Sequence, residues 1–133
     1  MGYDCGVLHE RHYTLEQASA VRGFVTNRVS WIRDARAQLV ALGPGVQEAI
    51  ASLEPDAGGS YPGRVIARPL VELSRALGEL QALDIVVRDV DRGLIDFPSI
   101  REGEEVYLCW LLDEEEIGFW HEPEAGFAGR KPL

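Results

Sequence analysis

The spacing of apolar residues changes once along this chain, near Leu83, and that change limits the possible folds more than any other feature. Before it, apolar residues recur every three or four positions, the signature of amphipathic helices. After it, short β-branched and aromatic runs alternate with Gly- and Asp-rich turns, the signature of strands.

The helical part begins at Thr14-Leu15-Glu16-Gln17, a capping box in which the Thr14 hydroxyl accepts from the Gln17 N–H and the Gln17 side chain reaches back. Leu15, Ala18, Val21, Val25, Val29, Ile32, Leu39 and Leu42 then form one stripe, with a gap at Ala35/Arg36, and predict a single long helix. Trp31 widens the stripe and is read as packing. Gly43-Pro44 ends it, because Gly accepts a left-handed cap and Pro cannot continue. Val46–Leu53 has room for two helical turns, and Glu54–Gly63 reads as a loop. Ile66, Leu70, Leu73, Leu77 and Leu80 predict a second helix whose regular part starts near Arg68, since Pro69 fits only a first turn or a kink. The heptad-like spacing suits either the monomer's own core or a second copy of the chain.

Beyond Leu83, Ile85–Val90 reads as a strand, Asp91-Arg92-Gly93 as a turn, and Leu94–Phe97 as a strand stopped by Pro98. Arg101–Glu104 is another turn. Val106–Leu112 is apolar on both faces, as a central strand would be. Asp113–Glu116 is an acidic turn and Ile117–His121 the last strand. The expected fold class is α+β, two long antiparallel amphipathic helices packed with a small antiparallel β-sheet formed by the C-terminal third. The expected organisation is a single domain over residues 1–133. It has a flexible tail at 1–12, a helical region at 14–83 with its loop at 54–63, and a β-sheet region at 84–133 ending in an irregular tail.

Charge is divided unevenly between these parts. Residues 1–83 carry 9 acids and 8 bases, whereas residues 84–133 carry 13 acids and 5 bases, so nearly all of the net charge of −9 lies on the sheet region. Such a surface repels phosphate backbones, and no basic stripe with interleaved aromatics is present, which excludes nucleic acid as a partner. No apolar run approaches the length that spans a bilayer. With no secretory signal at the N-terminus, the expected compartment is the cytoplasm, where Cys5 and Cys109 remain thiols. Cys5, His9 and His12 have a spacing that zinc could use, but no fourth ligand is evident, and they are assigned to the tail.

Four segments resemble a known family. They are His12-Tyr-Thr-Leu-Glu-Gln-Ala, Asp89-Val-Asp-Arg-Gly-Leu-Ile-Asp-Phe-Pro, Val106-Tyr-Leu-Cys-Trp, and the run from Ile117-Gly-Phe-Trp-His to Gly126-Phe-Ala-Gly-Arg. Together they are similar to the prokaryotic family of domain of unknown function 2203, over nearly the whole chain. The loop at 54–63 departs from the family's more continuous helical region. The resemblance implies a cytosolic single domain and brings no activity and no catalytic assignment with it.

The residues themselves suggest where chemistry would sit. Asp89, Asp91, Asp96 and His121 are the candidate metal ligands, because carboxylates with one imidazole suit a divalent metal, the one cofactor this set implies. His121 with Asp91 or Asp96 is the candidate acid–base pair, since a carboxylate orients an imidazole. The structural alternative pairs Asp89 and Asp91 with nearby arginines and makes Asp96 a turn cap. Trp110, Trp120 and Arg130 are candidate ligand-binding residues; the alternatives are core packing for the rings and neutralisation of the acidic turns for Arg130. Cys109, in the most apolar strand, reads as buried and inert. Two functions follow. One is an interaction or binding module, homodimeric through its helices, with a polar site on the sheet. The other is a small metal-dependent enzyme of hydrolase type using the same residues. Whether the chain is an enzyme stays open at this level.

Overall fold

In the structure, a computed structural model that describes residues 7–43 and 61–133 (the backbone alone over 61–67), the first helix starts where its capping box requires. Gln17 N–H donates to Thr14 Oγ1 at 3.1 Å, and Thr14 N–H to Gln17 Oε1 at 3.0 Å. The long helix expected from this start is divided. Leu15–Ala20 (α1) ends in a turn at Val21, whose N–H reaches back only three residues to Ala18, and Arg22–Ala41 (α2) continues. Gly23 beside the break has low helix propensity, and the Arg22 side chain caps the freed Ser19 carbonyl. In α2 the stripe Val25, Val29 and Ile32 is buried as spaced, and Ala35 fills the gap in the pattern. Gly43 at φ 78° takes the left-handed region after the helix.

The next helix, Tyr61–Ala82 (α3), starts earlier than Arg68 and carries Pro69 inside it. Tyr61-Pro62-Gly63, assigned by composition to a loop, form its first turn, where the N–H that proline lacks would have no helical partner anyway. The expected short helix at Val46–Leu53 and the remainder of the loop lie outside the described residues. The buried line of α3 runs through Pro69, Ala76 and Leu80, and leaves Leu77 and Val71 exposed. A Schellman motif ends the helix: Ile85 N–H donates to Leu80 O and Asp84 N–H to Gln81 O, with Asp84 at φ 60° in the position glycine usually takes.

Five strands follow: Val86–Asp89 (β1), Leu94–Arg101 (β2), Glu104–Leu111 (β3), Phe119–His121 (β4) and Lys131–Pro132 (β5). They form one antiparallel sheet in the order β1-β2-β3-β4-β5. The β2–β3 hairpin closes on Glu102 and Gly103, both with positive φ, the backbone that matches strand twist in a two-residue turn. Two expectations are corrected here. Pro98 does not stop β2. Pro98 O accepts the N–H of Tyr13, so its backbone faces away from β3 at a point beyond Val86, where β1 begins, and the missing N–H deprives no strand partner. The C-terminal run is not wholly irregular either, because Lys131 pairs with Trp120 and Pro132 with Phe119.

The chain packs as two compact units, Met1–Thr26 with Leu80–Leu133, and Asn27–Glu79, whose boundaries fall inside α2 and α3. In the second unit Val29, Ile32, Ala35, Pro69 and Ala76 are buried, and Arg28 Nε donates to Glu79 Oε1 at 2.7 Å. In the first, one face of the sheet is the core. Ile95, Phe97, Val106, Leu108 and Trp110 are at most 4% exposed, and the Tyr13 ring meets Phe97 edge-on. Among the described residues no helix is long and apolar enough to cross a membrane.

Candidate functional site

Alternation along a strand sends neighbouring residues to opposite faces, so the register decides which side chains meet. Asp96 on β2 lies opposite Cys109 on β3, and Tyr107, two residues before Cys109, lies opposite His121 on β4. These four therefore share the face opposite Phe97 and Trp110. Asp96, Cys109 and His121 are at most 1% exposed, and one ligating atom from each lies within 4.8 Å of the others.

The carboxylate of Asp96 is the centre of this group. Its Oδ2 accepts from His121 Nε2 at 2.9 Å and from Arg88 Nε at 2.9 Å. Arg88 is the extra residue where the β1–β2 register slips between Val87 and Asp89, a bulge that turns its guanidinium back over the sheet. The guanidinium also lies over the Tyr107 ring, 4.9 Å from its centroid. His121 Nδ1 donates to the Glu122 carbonyl at 2.7 Å. A carbonyl can only accept, so this bond fixes a proton on Nδ1 and directs Nε2 at Asp96. Among the described residues, Asp96 Oδ1 is buried without a hydrogen-bond partner. Burial, with the Asp96 charge beside it, pushes the Cys109 thiol up to about 12, so it remains an S–H and not a nucleophile.

Residues 8–12 cover the Glu105–Tyr107 end of this face. Tyr107, whose phenol burial pushes above its ordinary value, bonds His9 Nε2 at 2.7 Å, and His9 Nδ1 faces Asp84 Oδ1 at 3.4 Å. Glu105 accepts from the N–H groups of Leu8 and His9 and from His12 Nε2. Burial alone would raise its carboxyl, but these three donors outweigh burial and hold it below the ordinary carboxylate range. On the same face, where Phe119 lies opposite Cys109, Arg130 lies over the Phe119 and Phe127 rings and bonds Glu114.

Of the four expected metal ligands, the structure brings together two. Asp96 and His121 touch; Asp89 instead accepts the Arg92 N–H at 3.1 Å, and Asp91 lies on the exposed turn that follows β1. Because β1 ends at Asp89, the alternation that would have put Asp89 and Asp91 on one face does not reach Asp91. As for the acid–base pair, His121 meets Asp96 and not Asp91, and Asp96 is a mid-strand residue, not a turn cap. The expected ligand-binding residues are dispersed. Trp110 belongs to the core face and donates to the Glu114 carbonyl, Trp120 lies under Arg101 and Lys131, and Arg130 is on the other face. Sequence reasoning left out Cys109, Arg88 and Tyr107, and assigned His9 and His12 to a free tail. The signal for Cys109 was present: counting six residues outward on each side of the Glu102-Gly103 turn puts it opposite Asp96.

A family model described as an uncharacterized conserved protein (DUF2203) matches residues 11–133. No curated protein and no solved structure matches the chain.

Proposed function

The chain belongs to the DUF2203 family, and from that premise we propose that it is a small cytosolic binding module, homodimeric through its helices, whose polar site is the Arg88–Asp96–Cys109–His121 group. The observation that carries this reading is burial. Three of the four site residues are at most 1% exposed, and burial of that degree suits an ion or a proton and not an organic substrate. The thiol is protonated and both imidazole nitrogens face acceptors, so no group is poised as nucleophile or base. This weighs against the alternative of a metal-dependent hydrolase with His121 as base.

The dimer part of the reading rests on α2 and α3. Arg28, near the start of α2, meets Glu79, near the end of α3, which fits an antiparallel pair. Outward of that pair Trp31, Val71 and Leu77 are each more than a third exposed, and a cleft lined by Trp31, Val71, Glu72 and Arg75 lies between the helices. Apolar side chains at heptad-like spacing suit a second copy of the same helices. A native mass spectrum of the untagged chain, before and after chelator, tests the reading. A dimer that carries removable mass is expected. A bare monomer under both conditions would overturn it.

A further inference from the structure

Resting on that reading, we propose that the ligand of the buried site is one thiophilic late first-row divalent cation per chain, zinc above all, held by Asp96, Cys109 and His121 with Arg88 displaced to solvent. Four observations converge on it. The donor set is mixed, one carboxylate, one thiol and one imidazole, which selects zinc and its neighbours over magnesium or calcium. The Nδ1 proton of His121 is held by the Glu122 carbonyl, the outer contact that orients a metal-binding histidine through Nε2. Asp96 Oδ1 is buried and, among the described residues, unpartnered, so one carboxylate oxygen has capacity to spare. Finally, the atoms are close to the required spacing. Neighbouring ligand atoms around a tetrahedral zinc lie about 3.3–3.6 Å apart. His121 Nε2 and Asp96 Oδ2 are at 2.9 Å, and the three ligating atoms lie within 4.8 Å of one another.

Charge explains why Arg88 must leave and how it can. In the metal-free state the Arg88 guanidinium and the His121 ring both donate to the Asp96 carboxylate. With a divalent ion bound to one carboxylate and one thiolate the site is already neutral, and a retained guanidinium would add an uncompensated charge to a buried region. The Arg88 side chain is 41% exposed, so it can swing outward without unfolding β1. Binding forms metal–S, metal–N and metal–O bonds and breaks the Cys109 S–H bond, whose proton goes to solvent. A second proton leaves from Nε2, which donates to Asp96 before the metal binds.

Titration of the chelator-stripped, untagged chain with cobalt(II) tests this. The expected result is a near-ultraviolet thiolate-to-cobalt charge-transfer band that saturates at one ion per chain and disappears when zinc is added. Cys109→Ser abolishes the band and Cys5→Ser keeps it. Arg88→Gln tightens cobalt binding about tenfold, because its competing charge is gone, whereas an arginine with only a structural role would leave affinity unchanged. His121→Gln serves as the second ligand variant should Cys109→Ser fail to fold, and weakens binding at least tenfold by the same arithmetic. No band in the wild-type chain, or a band that follows Cys5, overturns the metal assignment. If that occurs while the native spectrum still shows a dimer with a non-metal adduct, the binding-module reading stands and only its ligand is wrong. A bare monomer with no band removes both.

Discussion

The two faces of the five-stranded sheet are built from alternate residues of the same strands, yet they are held by different physics. One face is Ile95, Phe97, Leu108 and Trp110, closed by the Tyr13 ring and held by non-directional burial of apolar area. The other is Asp96, Tyr107, Cys109 and His121, equally dry but held by directional hydrogen bonds, with His9 on Tyr107 and Arg88 on Asp96. A chain that needed only stability would make both faces apolar, because a buried ion pair seldom outperforms well-packed hydrophobic residues of the same volume. The polar face therefore points to a requirement other than stability.

The largest effect is expected from the apolar face. Phe97→Ala removes a fully buried ring that touches both Tyr13 and Trp110, and should lower stability by about 3–5 kcal/mol in urea unfolding. On the polar face, Asp96→Asn keeps the volume but leaves Arg88 and His121 without their anion, and should lower stability by about 1–3 kcal/mol. If the face serves as a binding site, the isosteric apolar change Asp96→Leu combined with His121→Leu should recover most of that loss while abolishing cobalt binding. Failure of the double variant to recover stability would mean that the network is structural.

A smaller effect separates the polar face from its cover. Because the Glu105 carboxyl is held below its ordinary value, the anchoring of residues 8–12 is fully present above the unfolded carboxylate's pKa, about 4.3, and is lost as pH falls through the lower folded value. Amide exchange at Leu8 and His9, corrected for intrinsic rate, should accelerate on acidification through that window while the β2–β3 amides stay protected. Glu105→Gln should produce the same release at neutral pH. Uniform acceleration across the sheet would show that the cover and the core open together.

Local patterns conveyed much of this architecture, whereas long-range partnerships were conveyed only where a turn fixed them. The capping box at Thr14, the glycine turns at Gly93 and Gly103 and the buried stripe Val25-Val29-Ile32 are local, and spacing alone reveals them. Pro98 misled because its effect depends on whether a neighbouring strand needs its N–H, and that depends on where β1 begins. Asp89 and Asp91 were grouped with His121 on the assumption that β1 is two residues longer than it is. Cys109 was read as buried from its apolar neighbours and is buried, although those neighbours point to the other face. Arg88 reaches Asp96 through a bulge, and a bulge leaves little trace in spacing.

Asp84 offers the smallest and most discriminating perturbation, since its position shows local geometry yielding to the cover. At φ 60° in the Schellman motif, glycine would be more comfortable by about 1 kcal/mol. What glycine lacks is the carboxylate, which accepts from the Arg11 N–H at 3.0 Å and faces His9 Nδ1 at 3.4 Å. Burial alone would raise that carboxyl, but the Arg11 N–H and the His9 ring outweigh it and hold it below its ordinary value, so it is anionic at neutral pH. Asp84→Gly should therefore leave global stability within about 1 kcal/mol of the parent, relief of backbone strain offsetting the lost bonds. Its visible effect should be faster exchange at Arg11 and weaker protection of the Tyr107–His9 contact. Asp84→Asn, which also tolerates the left-handed backbone, should fall between the two. If glycine stabilises the fold and leaves exchange at Arg11 unchanged, Asp84 does not hold the cover, and Glu105 alone would have to anchor residues 8–12.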